Sequence, residues 1–129
     1  MYELDKARNE LLRKAQEVLD TYGWVQGRDG DPEMGFCAIG ALAKAREELR
    51  DQARYNSESL QSGYYSALDA LQELAALEGS RTVIGLRTLS GWNDSPCRTK
   101  QEVIDLLSLA FIPGSIPVTQ QAPPHRLGM

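Results

Sequence analysis

The sequence has few residues of the kinds that most often carry chemistry or cross-link a chain. Its 129 residues include two cysteines, Cys37 and Cys97, and a single histidine, His125. Two cysteines are too few for a disulfide framework, and none of the three residues lies in a CxxC or HxxxH spacing typical of zinc sites. We therefore expect no metal, no cofactor and no bond between the cysteines in a reducing compartment.

Long hydrophobic runs and an excess of positive charge are also missing. No apolar stretch approaches the roughly 18 residues that a membrane span needs, and the charged first residues are unlike a secretory signal. The 14 basic residues are outnumbered by 18 acidic ones, which gives a net charge of −4. Because phosphate backbones are bound by clustered positive charge, we expect neither nucleic acid nor a membrane as partner, and a cytoplasmic location.

Apolar residues recur at helical spacing in four segments of the chain. These segments are 3–22, 37 to about 54, a third that begins after Ser57 or Ser59 and ends near residue 77, and a fourth that extends to Phe111. The third has Tyr64 in its apolar stripe and Tyr65 flanking it, and the fourth begins at the capping box Thr99-Lys-Gln-Glu102. Residues 80–90 favour a short helix over a strand, since no second strand is available to pair with it. The pattern predicts an all-α, single-domain helical bundle of four helices plus a short fifth.

Three other segments lack this periodicity. Residues 23–36 contain four glycines and a proline, which predicts a loop with several positive φ angles. Residues 91–98 are predicted to form a turn. The proline-containing residues 113–129 are predicted to form a flexible, extended tail behind a helical domain of residues 1–112.

Cys37 is the one candidate nucleophile at a predicted helix N-terminus, a position that lowers the pKa of a thiol. A cysteine hydrolase also needs a base, and His125 lies in the predicted tail. Since cysteine is among the residues most often buried, the sequence favours Cys37 as a packed small side chain and predicts no catalytic residues. A thiol-dependent enzyme, with the tail folded back over Cys37, is the alternative.

Two interpretations are open for the pair of tryptophans and two for a set of basic residues. Trp24 and Trp92 both follow a glycine at the end of a helical segment, which favours plugs that seal the core over a small-molecule site between them. The basic side chains of the second helix favour a solvated face over an anion or RNA site. They are Lys44, Arg46, Arg50 and Arg54.

Asn93 and Asp94 are predicted to be structural first and functional second. Short polar side chains in Trp92-Asn93-Asp94-Ser95-Pro96 bind nearby backbone amides and fix turns. Asp94 is the better candidate to face the start of the second helix, because a carboxylate there also gains from the helix dipole.

Three short motifs occur together in a fixed order. They are Gly23-Trp24 at a helix end, Cys37-Ala-Ile-Gly40-Ala41 at the next helix start, and Gly91-Trp92-Asn93-Asp94 before the capping box. In this combination the chain resembles, over residues 4–111, a family of small proteins of unknown function from actinobacteria and their phages. The resemblance implies a bacterial or phage-encoded cytoplasmic protein and brings no activity with it. It directs attention to Trp24, Cys37, Gly40, Trp92, Asn93 and Asp94.

The leading functional hypothesis is a non-enzymatic protein-interaction module, in the form of a phage accessory protein that acts on a host protein. It rests on the incomplete catalytic set, the acidic third helix and the proline-containing tail. The partner is expected to be a protein of unknown identity, and the sequence does not give the oligomeric state.

Overall fold

The computed structural model describes residues 3–53, 55–79 and 89–113. In these ranges the protein has five helices and one small hairpin, so the predicted all-α class is confirmed. The elements are α1 (Glu3–Tyr22), β1 (Gly30–Asp31), β2 (Gly35–Phe36), α2 (Ala38–Asp51), α3 (Ser57–Gly79), α4 (Leu89–Asn93) and α5 (Lys100–Leu109). None of the helices described is both long and apolar enough to cross a membrane.

Helix α1 is the central element, and it packs against α2, α3 and α5. Its predicted apolar stripe is buried except at the two ends, where Leu4 is exposed and Tyr22 is half-buried, and the predicted bounds of the helix match the structure. The core that it shares with the other helices consists mainly of leucine side chains. Fully buried among them are Leu11, Leu12, Leu19, Leu42, Leu49, Leu60, Leu71, Leu89 and Leu107.

Helices α2 and α3 differ from the prediction at their ends. Helix α2 ends at Asp51 instead of near residue 54, and Ala53 lies in the left-handed region with φ of 59°. Neither predicted serine caps α3. Instead, the Asn56 side chain accepts a hydrogen bond from the Ser59 amide at 2.7 Å. Asparagine ranks with serine as an N-cap, so the serines were not the sole candidates.

Helix α4 occupies part of the segment predicted as a turn. The prediction was wrong for residues 91–93, which continue a helix from Leu89 because Leu89, Trp92 and Asn93 share one buried face. The Gln72 side chain accepts a hydrogen bond from the Leu89 amide at 2.6 Å and so ties the start of α4 to α3. The rest of the predicted 80–90 helix lies outside the described residues.

Helix α5 begins with the predicted capping box, in which Thr99 and Glu102 bind each other's amides. The helix ends at Leu109, two residues before the predicted end, and the chain then binds α1. The Arg8 guanidinium donates to the Ala110 carbonyl at 2.7 and 3.2 Å, and Asn9 pairs with the backbone of Ile112 through two hydrogen bonds. The predicted tail lies outside the described residues after position 113.

The segment 23–36 is a loop that contains the hairpin. Strands β1 and β2 are antiparallel, with Gly30 opposite Phe36, and Asp31 caps the turn by accepting from two backbone amides at 2.8 and 2.9 Å. All four glycines have positive φ, as predicted. At Gly35 a Cβ atom would lie 2.7 Å from the Gly23 carbonyl carbon, so glycine lets the hairpin lie against the end of α1.

Candidate functional site

The buried side chain of Asn93 joins three segments of the chain. Its Oδ1 accepts hydrogen bonds from the Trp24 indole at 2.7 Å and from the Ala38 amide at 3.1 Å. Its Nδ2 donates to the Val25 carbonyl at 3.1 Å and to Asp94 Oδ1 at 3.0 Å. Asn93 is 1 % exposed; its bond from the Ala38 amide is buried, and the other three are partly buried. We call Trp24, Val25, Ala38, Asn93 and Asp94 the Asn93 cluster.

Asp94 fixes the loop instead of the helix. Its Oδ1 accepts a hydrogen bond from the Gly27 amide at 2.9 Å, while Asn93 is the residue that binds the first amide of α2. The expectation that Asp94 faces α2 was therefore wrong. Asn93 lies on the buried face of α4, whereas Asp94 is the exposed residue that follows the helix, and its carboxylate accepts hydrogen bonds from the Gly27 amide and the Asn93 side chain.

Cys37 is the N-cap of α2. Its sulfur accepts a hydrogen bond from the Gly40 amide at 3.2 Å, and its own amide donates to the Asp29 carbonyl at 3.0 Å. Together with Asn93, Cys37 therefore satisfies amides of the first turn of α2, which have no partner within the helix. A side chain at position 40 would collide with the loop, because its Cβ would lie 2.0 Å from the Asp29 oxygen.

A cavity of about 200 Å³ borders this arrangement. Cys37, Asn93 and Asp94 lie in its wall with Ser90 and loop residues Gly27, Arg28 and Asp29. Burial raises the pKa of the Cys37 thiol, and the hydrogen bonds from the amides of Gly40 and Ile39 oppose this effect only in part. The cavity therefore contains a neutral thiol at pH 7, which is a poor nucleophile.

Alkylation of the native protein tests this state of Cys37. We expect iodoacetamide to modify the exposed Cys97 at least about 10-fold faster than Cys37, which is 5 % exposed. Labelling of Cys37 should accelerate only when the pH rises above the usual range for a thiol. Mass spectrometry of peptides after timed quenching measures both rates, and unfolding in urea is the control that should equalise them. Rapid labelling of Cys37 below pH 7 would contradict the assignment and favour the thiol-enzyme alternative.

Trp92 belongs to the core instead of the cavity. It is 2 % exposed, and the Arg98 guanidinium lies 3.9 Å from the centre of its ring while donating to the Trp92 carbonyl at 2.9 Å. The indole N–H of Trp24 donates a hydrogen bond to Asn93 Oδ1. The two tryptophans therefore have separate surroundings, a buried core position and a loop contact.

The structure brings together Trp24, Cys37, Gly40, Asn93 and Asp94, and it places the Trp92 side chain nearby in the core. The sequence analysis missed three contributors. Gln26 donates to the carbonyls of Asn93 and Ser95, Asp29 accepts from Cys37 through its backbone, and Arg98 covers Trp92. Backbone acceptors leave no sequence signal. A glutamine in a loop or an arginine after a turn also gives no indication in the sequence of the groups that it will contact.

The described residues contain no group of three or more histidine, cysteine, aspartate or glutamate side chains that could hold a metal ion. In the same ranges, no buried side-chain nitrogen or oxygen lacks a hydrogen-bond partner. The polar groups of the Asn93 cluster are thus used within the protein. His125, the base that the thiol-enzyme alternative requires, lies outside the described residues.

These features define the class of the protein, a small all-α domain whose glycine-rich loop is fastened to two helices by a buried asparagine. The model of the family of unknown function DUF6197 matches residues 4–111, and the chain belongs to this family. No curated protein and no solved structure matches the chain significantly.

Proposed function

We propose that this protein is a non-enzymatic protein-interaction module and that one exposed ridge of α3 is its docking surface. The ridge consists of Tyr65, Asp69, Glu73 and Leu77, and we call it the α3 ridge. Residues four apart follow one another along a helix surface, so these four side chains form one continuous row. All four are exposed.

The apolar residues of the α3 ridge carry the proposal. Tyr65 is 51 % exposed and Leu77 is 71 % exposed, and both are among the few large hydrophobic side chains that the described surface leaves in water. Tyrosine is enriched in protein interfaces because a rigid ring contributes a large contact area at a low cost in conformational entropy. The helical spacing placed Tyr64 in the apolar stripe of α3 and Tyr65 beside that stripe. In the structure, Tyr64 takes the inward position, and Tyr65 points to the surface.

The negative charges of the α3 ridge favour a partner with basic residues. Helix α3 contains no lysine or arginine. Neither Asp69 nor Glu73 forms an ion pair within the part of the chain that the structure describes. A protein surface with an apolar patch flanked by lysine or arginine would complement this ridge, because opposite potentials steer association and select the partner.

The state of the candidate site supports interaction over catalysis. The Cys37 thiol has a raised pKa, and the polar atoms of Asn93 are bound to the protein itself. A nucleophilic enzyme needs a nucleophile with a lowered pKa and a free base beside it, and the Cys37 thiol and the Asn93 amide have neither property. From the family resemblance, we extend the proposal to a phage accessory protein that acts on a host protein in an actinobacterial cytoplasm.

Charge reversal on the α3 ridge tests the proposal. The variant Asp69→Lys/Glu73→Lys should capture at least about 10-fold less of the partner from an actinobacterial lysate than the parent does. It replaces two attractive charges with two repulsive ones. Both positions are exposed, so the melting temperature should change little. Quantitative mass spectrometry of the captured proteins measures the effect.

A matched control separates the ridge from net charge. The variant Glu33→Lys/Asp51→Lys makes the same change at two exposed carboxylates outside α3 and should capture the partner as the parent does. Equal capture by the ridge variant, or capture that depends on residues 114–129 instead, would contradict the proposal. Sedimentation of the parent and the ridge variant shows whether the partner is a second copy of this chain.

A further inference from the structure

Three basic residues of α1 and α2 form ion pairs on their own helix, and two arginines of α2 do not. Arg13 pairs with Glu10, Lys14 with Glu17 at 2.6 Å, and Lys44 with Glu47 at 2.9 Å. Arg46 and Arg50 form no ion pair within the described ranges, although they lie one helical turn apart on the same face. Two adjacent guanidinium groups thus keep their donors available.

Tyr64 restricts the Arg46 side chain. The guanidinium carbon lies 4.2 Å from the centre of the Tyr64 ring, a cation–π contact with an aromatic side chain that is itself 8 % exposed. An arginine restricted in this way loses less conformational entropy when it binds a ligand. The contact therefore prepares Arg46 for binding an anion.

Arg46 and Arg50 line two neighbouring cavities. The smaller has a volume of about 160 Å³, and its other walls are Ser57, Leu60 and Gln61 of α3. A hydroxyl and a side-chain amide there add donors to those of the two arginines, which is a donor set suited to phosphate.

The larger cavity has a volume of about 450 Å³ and lies between α2 and the hairpin. Phe36, Ile39 and Tyr64 supply apolar wall, while Asp29 and Glu47 supply carboxylates. The volume falls in the range of small-molecule sites, roughly 300–1,000 Å³. Lys44 also lines this cavity and pairs with Glu47, so among the described lining residues Asp29 is the carboxylate without an ion pair that can accept hydrogen bonds from hydroxyl groups.

We propose that Arg46 and Arg50 bind the phosphate group of a small phosphorylated molecule whose hydroxylated remainder occupies the larger cavity. Ser57 and Gln61 donate to the same phosphate from α3. The site shares no residue with the Asn93 cluster or with the α3 ridge, but it adjoins the ridge, because Gln61 lies one helical turn before Tyr65. The sequence pattern alone favoured a solvated face for these basic residues, and the two shared cavities are what change this interpretation.

Titration with defined probes tests the site. Inorganic phosphate, glucose 6-phosphate and glucose are added to the full chain labelled with ¹⁵N, and backbone and arginine side-chain resonances are followed by NMR. We expect saturable shifts at Arg46 and Arg50 with both phosphates, tighter binding of glucose 6-phosphate, and no saturation with glucose. An absence of saturation with either phosphate at about 10 mM would overturn the proposal. Equal affinities for the two phosphates would overturn the role of the larger cavity.

Variants assign the binding to the arginines. Arg50→Gln changes an exposed side chain and should keep the fold while weakening glucose 6-phosphate at least about 10-fold. Arg46→Gln should weaken it by a similar factor, and its melting temperature shows whether loss of the Tyr64 contact has disturbed the fold. Lys100→Gln, which removes an exposed cation from α5, is the matched control and should bind as the parent does. Parental affinity in Arg50→Gln would overturn the assignment.

Discussion

Replacing Asn93 with alanine is expected to lower the free energy of unfolding by about 2–4 kcal/mol. The substitution removes four hydrogen bonds and leaves the Trp24 indole, the Ala38 amide and the Val25 carbonyl without their partner. Unpaired polar groups away from water cost more than a typical hydrogen bond contributes. Chemical denaturation followed by circular dichroism measures the change.

The variant Asn93→Asp separates hydrogen bonding from side-chain size. It keeps the shape but replaces the donor with a carboxylate oxygen that would face both the Val25 carbonyl and Asp94. Burial and the neighbouring carboxylate raise the pKa of the new carboxyl in the folded state. A group with a raised folded-state pKa contributes stability at low pH and loses it as the pH rises, so the variant should be closer to the parent at pH 4 than at pH 7. A deficit that does not depend on pH would contradict the geometry of the cluster.

A loss of biological effect without a loss of stability would change the role of this residue. If Asn93→Ala melts like the parent and no longer acts in the cell, Asn93 is a binding group instead of a structural one. A ligand should then be sought in the neighbouring 200 Å³ cavity beside Cys37.

Gly40→Ala is expected to destabilise the protein by about 2–4 kcal/mol, although alanine favours a helix by about 1 kcal/mol relative to glycine. The new methyl carbon would lie 2.0 Å from the Asp29 oxygen and 2.9 Å from the Asp29 carbonyl carbon. These are backbone atoms, so the loop must move away from α2. That movement disrupts the hydrogen bond between the Cys37 amide and the Asp29 carbonyl. Thermal and denaturant unfolding of the variant measure the effect.

Gly27→Ala is the matched control for this prediction. Gly27 has a φ of +81° but no atom within 4 Å of the position of a Cβ, so the substitution introduces backbone strain without a collision. We expect a cost of about 1 kcal/mol. Equal losses of stability in the two variants would show that the close approach of loop and helix at Gly40 adds nothing to the cost of the substitution.

Much of the helical architecture was predictable because it has a periodic signal. The stripe of α1 and the capping box of α5 are local patterns, and both gave the correct helix start. The hairpin was not predictable, since its strands have two residues each and show no period. The start of α3 was misassigned because serine and asparagine are equivalent signals for an N-cap.

The candidate site was predictable in its residues but not in its contacts. The motifs identified both Asn93 and Asp94, yet which of them reaches α2 depends on the orientation of α4, whose residues 91–93 were predicted to form a turn. Tyr64 and Tyr65 have the same chemistry and adjacent positions. The helical spacing placed Tyr64 in the apolar stripe, where the structure buries it, but it did not show that the flanking Tyr65 would be half exposed.

The sequence separations across the Asn93 cluster determine when the site can form during translation. Asn93 lies 69 residues after Trp24 and 55 after Ala38. The Trp24 indole and the Ala38 amide therefore have no Asn93 to bind until α4 has left the ribosome. Until then the loop 23–36 can pair its strands, but it cannot satisfy the Trp24 indole or the first amide of α2. Helices close in sequence can collapse earlier, whereas contacts between distant segments, the Asn93 cluster among them, form later. A nascent chain paused before residue 93 should therefore expose this loop to protease, and release of α4 should protect it.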